Sequence, residues 1–304
     1  MRLSEVIRPT TIIAATRLGS RLGVELTIAS ETFQHTGSFK FRAAYNVASK
    51  VSERKIIAAS SGNFGQAMAY ACSLLDKTCI IVMPSTSAKV KIDAVREYGG
   101  TVDLTDVRLK GRAERVAELA RDHRDAYVAS AYDDPLVIEG NSTLGIELAE
   151  SGREFDYVVA PIGGGGLSSG IITGLKARRS NAKVVAAEPS MANDAARSLR
   201  AGHIIVNDTE PQTIADGART VSVGVNNWAV LKDGLSSAVE VAEENIKEGV
   251  RLLFSLANLK AEPTGALPIG ALLTAPHLFR GQRVCCVVSG GNVDPEVYRM
   301  LLSA

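Results

Sequence analysis

Cysteine, histidine and long apolar runs are all scarce in this sequence of 304 residues. The four cysteines form no Cys-x-x-Cys pair and the four histidines are scattered, which argues against a zinc site or a disulfide framework and indicates a reducing, cytoplasmic compartment. No apolar run reaches the roughly 18 residues that span a bilayer, and the N-terminus lacks the basic-then-apolar order of a signal peptide. We therefore expect no membrane partner.

Excess charge of one sign is also missing, since the formal net charge is +1. This balance removes the usual reason to expect a nucleic-acid partner. Apolar residues make up 46% of the chain and charged residues 22%, as in ordinary globular proteins. A chain of this length can bury a large core, organised as one large or two medium domains.

Short apolar runs rich in β-branched residues alternate with amphipathic stretches along the chain. The predicted strands are 24–30, 55–60, 78–84, 101–106, 156–162, 182–188 and 283–289. The predicted helices are 38–50, 64–75, 87–98, 109–123, 140–150, 167–179 and 243–257. Several strands are apolar throughout, as parallel strands covered on both faces are. The sequence predicts an α/β fold with open, mostly parallel sheets covered by helices.

The stretch "AASSGNFGQAMAYA", residues 58–71, joins a predicted strand to a predicted helix. Ser60-Ser61-Gly62-Asn63 opens that helix, where free backbone N–H groups and two hydroxyls suit an anion such as a carboxylate. The plainer interpretation is a helix cap, because Ser and Asn are favoured caps.

Four consecutive glycines, Gly163 to Gly166, stand at a second junction of this kind in "APIGGGGLSSG". Glycines let the backbone fold around a tetrahedral anion, and the following helix N-terminus adds partial positive charge. The pattern favours a phosphate site over a flexible connector, and it matches neither the dinucleotide nor the lysine-bearing nucleotide loop.

Two further strand ends carry weaker signals. Ser289 in "VVSGGNVDP" offers a hydroxyl to a ring nitrogen or a carbonyl, or lies in a plain turn. Glu188 and Asp194 in "AAEPSMANDAA" offer the oxygen ligands that a hard cation such as magnesium or calcium prefers. Solvated loop acids are the commoner alternative for such a pair.

Lys40 lies between Phe39 and Phe41, directly after Thr36-Gly37-Ser38. A lone lysine is usually a solvated surface charge. Together with a phosphate turn and a carboxylate turn it indicates pyridoxal 5'-phosphate (PLP), a cofactor that carries a phosphate and attaches to a lysine as a Schiff base.

Six motifs of this sequence resemble, in their order, those of fold-type II PLP-dependent enzymes. They are "TGSFKFRAA", "SSGNFGQA", "GGGGL", "AAEPSMAND", "TIADG" and "SGGNVD". The resemblance is to the serine/threonine dehydratase and serine racemase group, and it extends from about residue 10 to 298. Departures include Ser130-Ala131, where the family usually has His-Pro, and Phe64, where a histidine is frequent.

The resemblance implies a role for each matching residue of the cofactor site. Lys40 would bind PLP covalently and later carry the Cα proton, Phe39 would pack beside the cofactor ring, and Ser289 would face the pyridine nitrogen. Asn63 would hydrogen-bond the 3'-oxygen. Gly163, Gly164, Gly165 and Gly166 would hold the phosphate. Glu262, in "AEPTGA", matches a glutamate near the cofactor whose role stays open.

Substrate and cation sites also follow from the resemblance. The substrate carboxylate would be bound by Ser60, Ser61, Gly62 and Asn63. In racemase members the serine that matches Ser61 acts as acid and base on the opposite face. A divalent cation, magnesium or manganese, would be held by Glu188, the carbonyl of Ala192, and Asp194.

The implied activity is a PLP-dependent ammonia-lyase that eliminates water from serine, threonine or 3-hydroxyaspartate, giving a 2-oxo acid and ammonia. An amino-acid racemase with side elimination is the alternative; a β-replacement synthase and a non-catalytic PLP-binding module are less favoured. The family architecture implies a large domain of residues 1–54 and 133–304, a small mobile domain of 55–132, and a homodimer.

Overall fold

The computed structural model of the protein describes residues 3–87 and 89–303, so position 88 of the predicted helix 87–98 and both chain ends lie outside it. The strands, β1 to β10, are Thr11–Ala14, Glu25–Ser30, Lys55–Ala59, Thr78–Pro84, Thr101–Thr105, Ala126–Ala129, Tyr157–Pro161, Lys183–Pro189, Leu235–Val241 and Arg283–Val288. The helices, α1 to α14, are Leu3–Val6, Thr16–Leu22, Lys40–Lys50, Asn63–Leu74, Lys89–Glu97, Arg112–Asp122, Pro135–Ala149, Gly166–Ala177, Asp194–Ala201, Val225–Gly234, Glu243–Ala257, Pro263–Thr274, Pro276–Phe279 and Pro295–Ser303.

Six strands form the first sheet, in the order β1-β2-β10-β7-β8-β9. Among these described strands, only the β1–β2 pairing is antiparallel. One face is covered by α2, α11, α12 and α14, and the other by α7, α8 and α10. Burial on both faces explains why β7, β8 and β10 are apolar nearly throughout.

Four parallel strands form the second sheet, in the order β5-β4-β3-β6. Helices α3, α4 and α5 share an apolar core with one face, while α6 covers the other. The carboxyl end of β3 in this sheet, and those of β7, β8 and β10 in the first, lead into the four turns that the sequence marks as candidate sites. Ligands of open α/β sheets bind at such ends.

The α/β prediction with open, mostly parallel sheets is confirmed, and each of the seven predicted strands is present. The predicted helix 140–150 begins earlier, at Pro135, because Asp134 caps it and Pro suits the first helical position. Helix α12 was not predicted, since its internal Pro268 suggests a break in a helix. Strands β1, β6 and β9 were also missed. The first two have four residues each and are mostly part-buried, and β9 is a part-buried strand at the edge of the first sheet.

Within the described residues, no helix combines the length and apolar character needed to cross a membrane. All four cysteines are buried free thiols.

Candidate active site

Lys40 is the first residue of α3, and its amine reaches the end of the second sheet. Nζ donates a hydrogen bond to the carbonyl of Ala131, just after β6, at 2.8 Å. It lies 5.0 Å from the ring centroid of Phe39 and 5.8 Å from that of Phe64. Burial lowers the pKa of Lys40 to about 8, although the negative charge of Glu262 acts in the opposite direction. Lys40 is therefore a largely enclosed amine with a lowered pKa and not a solvated surface charge.

Backbone pairing holds the segment before Lys40 against the turn that follows β10. The N–H of Phe39 donates to the carbonyl of Ser289 at 2.9 Å, and Ser38 forms an isolated bridge with Gly290. The hydroxyls of Ser38 and Ser289 are buried and make no hydrogen bond within the described structure. Because a buried hydroxyl without a partner is costly, these two positions are suited to a polar ligand.

The glycine turn after β7 is tightly enclosed by protein. A Cβ on Gly164 would lie 2.2 Å from the ring of Tyr132, and one on Gly163 would lie 3.0 Å from Cα of Ala218. Gly165 has a φ of 97°, which side chains rarely adopt. Helix α8 begins immediately afterwards, so its N-terminal N–H groups follow this turn. The turn is a narrow cradle with the partial positive charge that suits a phosphate.

Two polar residues beside this cradle were not identified from the sequence. The Thr220 hydroxyl is buried, has no partner among the described residues, and lies 3.5 Å from the Cβ position of Gly163. Asn227 is fully buried and donates to the carbonyls of Gly164, at 2.7 Å, and Tyr132, at 3.0 Å. Neither lies in a motif of the sequence, and no local pattern could have found them.

The Ser-Ser-Gly-Asn turn after β3 is open by comparison. The Ser60 hydroxyl accepts hydrogen bonds from the N–H of Gly62 at 3.3 Å and of Gly65 at 3.0 Å. The N-cap residue of α4 is Gly62, and Ser60 supports the first turn of the helix from two residues before it. Ser61 and Gly62 stay partly exposed, and no atom of the described structure lies within 4 Å of the Cβ position of Gly62. The turn leaves space for a ligand next to the start of α4.

Asn63 and Glu262 connect the two sheets across this space. Asn63 Nδ2 donates to both carboxyl oxygens of Glu262, at 2.9 and 3.1 Å. Asn63 Oδ1 accepts from Asn292 Nδ2 at 2.8 Å, which sets the orientation of the amide. Burial, and then the charge of Asp216, raise the pKa of Glu262 to about 8. Glu262 is thus a buried carboxyl that keeps its proton at neutral pH.

The residues predicted to hold a cation lie at the end of β8. The two carboxyl oxygens of Glu188 accept from the N–H of Ala195 at 2.8 Å and of Ala196 at 2.9 Å. Asp194 Oδ2 is buried without a partner in the described structure, while Oδ1 accepts from Asn207. Burial raises the pKa of both acids, that of Asp194 to about 6. Ala192 is buried in the short turn between them.

A family model, "Pyridoxal-phosphate dependent enzyme", matches residues 3–290. The chain belongs to this family. It is 36% identical to L-threo-3-hydroxyaspartate ammonia-lyase of Pseudomonas sp over 305 residues, covering 99% of this chain and 95% of that protein. Serine racemase of Mus musculus is 32% identical, over 97% of this chain and 89% of that protein. The crystal structure of a threonine deaminase from T.th. superposes with a TM-score of 0.91 at 36% identity, covering 96% of each chain. The resemblance to fold-type II PLP enzymes is thereby confirmed.

The site fits the cofactor of the pyridoxal-phosphate dependent family on three counts. The pKa of the Lys40 amine is lowered to about 8, so a far larger fraction of it is neutral near pH 7 than of an ordinary lysine. The glycine cradle excludes side chains and lies at a helix N-terminus. Buried hydroxyls without partners among the described residues, those of Ser289 and Thr220, are available to a polar group.

Proposed function

We propose that this protein is a PLP-dependent ammonia-lyase that removes water from a β-hydroxy amino acid, giving a 2-oxo acid and ammonia. The observation that carries the proposal is the full-length similarity to a hydroxyaspartate ammonia-lyase, combined with a neutral hydroxyl, that of Ser289, at the end of β10. A hydroxyl does not keep a pyridine nitrogen protonated as a carboxylate would. Prompt loss of a β-substituent is then favoured over transamination.

Lys40, Phe39, Asn63, Ser289 and the glycine cradle would hold the cofactor, with Thr220 added from the structure. Bound PLP would withdraw electrons from the substrate Cα and so acidify its proton. The protein residues then have to bind the substrate, orient it and move that proton.

Lys40 is proposed to take the Cα proton at Nζ. With a pKa of about 8, roughly a tenth of these amines are neutral at pH 7, whereas an ordinary lysine has fewer than about one in a thousand. The carbonyl of Ala131 orients Nζ through the 2.8 Å hydrogen bond. A base needs both a suitable pKa and a fixed position, and the site supplies both.

The Ser60 to Asn63 turn is proposed to bind the substrate carboxylate through Ser61 and the N–H groups that begin α4. Open space beside Gly62 supports this assignment. Ser61 is also the basis of the second candidate function. If its hydroxyl delivers a proton to the other face of Cα, the product is the inverted amino acid, and the similarity to a serine racemase supports that alternative.

A substrate panel tests the proposal. The purified protein is assayed with L-serine, D-serine, L-threonine and both diastereomers of 3-hydroxyaspartate, and 2-oxo acid release and inversion are followed together. We expect oxo-acid release to exceed inversion, with threo-3-hydroxyaspartate as the best substrate. Inversion faster than release on any member of the panel would establish the racemase instead.

A divalent cation, magnesium or manganese, is proposed to bind Glu188, the carbonyl of Ala192, and Asp194. The support is Asp194 Oδ2, a buried carboxyl oxygen with no partner among the described residues, beside a second buried acid. Manganese should then raise the melting temperature of the protein, and Asp194→Asn should abolish that shift. Glu154→Gln, which removes an exposed acid, is the matched control. An equal shift in both variants would place the cation elsewhere.

Residues 55–132 are proposed to move as a small domain against the rest of the chain, which would close the cleft over substrate. Two ion pairs, Lys91–Asp216 and Arg112–Glu210, cross from this segment to the first-sheet side. Small-angle scattering with and without a substrate analogue measures such a closure.

We further propose that the protein is cytoplasmic, which the free cysteines support. We also propose that it forms a homodimer, which the family supports and which light scattering tests.

A further inference from the structure

A buried cluster of charged residues lies behind Lys40. Arg42 and Glu31 have fully inaccessible side chains, and the guanidinium contacts the Glu31 carboxylate through Nε at 2.8 Å and NH2 at 2.9 Å. The same guanidinium contacts both oxygens of Glu147, at 2.8 and 2.9 Å. Thr143 and Thr10 accept from it at 2.9 Å each. All five of its N–H groups are directed at oxygen atoms of the protein.

Such a cluster contributes little net stability to a fold, because buried charges lose their hydration. Taking the charges of Arg42 and Glu31 out of water costs several kcal/mol per ion, and apolar residues of similar volume often serve stability as well or better. The cluster also has an excess of one negative charge, since two carboxylates surround one guanidinium. The bidentate hydrogen bonds of a guanidinium fix the orientation of the groups that they join, which apolar packing does less strictly.

The position of Arg42 on α3 shows that its hydrogen bonds fix the rotation of this helix about its axis. Lys40 and Arg42 are two residues apart on α3, about 200° around the helix axis, so they point to opposite sides. Lys40 reaches Ala131 at the cleft, while Arg42 points to the far side of the helix. Any rotation of α3 about its axis would move the lysine amine and break the bonds of the guanidinium at the same time.

The partners of Arg42 belong to three separate parts of the fold. Glu31 follows β2 of the first sheet, Glu147 lies on α7, and Thr10 precedes β1. Helix α3 itself buries its apolar face in the core of the second sheet, through residues such as Phe41 and Val47. The cluster is therefore the polar joint between the helix that carries Lys40 and the first sheet.

We propose that Arg42 is a positioning residue for Lys40: by holding Glu31 and Glu147 at once, it sets the rotation of α3 and so the place of the reactive amine. This inference rests on the proposed role of Lys40 and not on the identity of the substrate. It requires no contact between Arg42 and the cofactor.

The test compares Arg42→Lys with Arg115→Lys, in holoenzyme of each. Arg115 also bridges two acids, Asp103 and Glu118, but on the outer part of the second sheet. The primary measurement is circular dichroism in the absorption band of the lysine-bound cofactor, normalised to bound cofactor, because this signal depends on a fixed orientation. A lysine at position 42 keeps the charge but cannot bind both carboxylates bidentately.

We expect Arg42→Lys to lose at least about half of the normalised signal and to lower kcat about 10- to 100-fold with little change in KM, as a small misplacement of a catalytic group does. Arg115→Lys should retain both. An unchanged signal and kcat in Arg42→Lys, with only a lower melting temperature, would overturn the proposal. If Arg42→Lys does not fold, Glu147→Gln, which alters the partly exposed partner, replaces it under the same criteria.

Borohydride reduction of the wild-type holoenzyme separates this inference from the underlying one. Reduction should attach the cofactor to Lys40, detected by peptide mass. Labelling of Lys40 together with an unchanged dichroism signal in the Arg42 variants refutes the positioning role alone. Labelling of a different lysine refutes the assignment of Lys40, and the positioning role with it.

Discussion

Two turns on opposite sheets of this protein look alike in sequence and differ in packing. Each joins a parallel strand to a helix of 12 residues through small residues, which are mainly serine after β3 and glycine after β7. Every glycine Cβ position of the turn after β7 is crowded, the worst at 2.2 Å from Tyr132. In the turn after β3, no described atom lies within 4 Å of the Cβ position of Gly62.

This difference fits the two roles that we propose for these turns. A crowded turn holds one backbone geometry, which suits a cofactor phosphate that stays bound through many turnovers. An open turn admits a ligand that must enter and leave in each cycle. Lys40 lies between them, with Phe64 of α4 on one side and Ala131, next to Tyr132, on the other.

Lys40 lies between the two turns and is the residue proposed to bind the cofactor, so replacing it should have the largest effect. Lys40→Ala should lower turnover by at least about 10³-fold, because covalent binding and proton transfer are lost together. Turnover is measured as 2-oxo acid release, and Lys40→Arg serves as a control that keeps the charge without a neutral amine. Substantial activity in Lys40→Ala would remove this residue from the mechanism.

Gly164→Ala should disturb the backbone geometry of the crowded turn after β7. Its methyl group must displace the Tyr132 ring, and overpacking of this kind costs about 1–3 kcal/mol. We expect cofactor affinity to fall roughly 10- to 100-fold, measured by fluorescence titration of the apoenzyme with PLP. Wild-type affinity would mean that the turn is not a rigid cradle.

The pH dependence of the rate at which the apoenzyme binds PLP tests the lowered pKa of Lys40, the amine between the two turns. The pKa of Lys40 is lowered to about 8, so the neutral, reactive amine increases as pH rises toward that value. The capture rate of the apoenzyme should rise about tenfold per pH unit and level off above pH 8. Glu262 also has a pKa of about 8 and gains its charge over the same pH range, where that charge raises the pKa of Lys40, so in Glu262→Gln the levelling point should move to lower pH. Stopped-flow absorbance measures the rate, and a break near pH ~10, the ordinary lysine value, would contradict the lowered pKa.

Gly62→Ala should have the smallest effect on the protein itself. The added methyl group meets no described atom, so the free energy of unfolding should change by less than about 0.5 kcal/mol, with cofactor affinity unchanged. Its effect should be confined to kcat/KM for the substrate that enters beside it. Urea unfolding and PLP titration give both quantities, and loss of cofactor affinity here would show that the two turns share one task.

Much of this site could be predicted from the sequence because its signals are local. The glycine turn, the Ser-Ser-Gly-Asn turn and Ser289 each follow an apolar strand, and strand ends of parallel sheets are where ligands bind. Thr220 and Asn227 could not be found in this way, since their importance comes from chain segments that meet at the glycine turn. The partner of Glu262 was equally hidden, because Asn63 is 199 residues away in the chain.

The sequence by itself determined the α/β class, seven of the ten described strands and the positions of the motifs, because apolar periodicity and glycine content act over a few residues. The tertiary structure alone decided which turn is closed and which is open, and that burial raises the pKa of Glu262 and lowers the pKa of Lys40, each to about 8. It also decided that Arg42 joins α3 to the first sheet. The physical reason is that burial and opposing charges depend on neighbours distant in the chain, which no local pattern records.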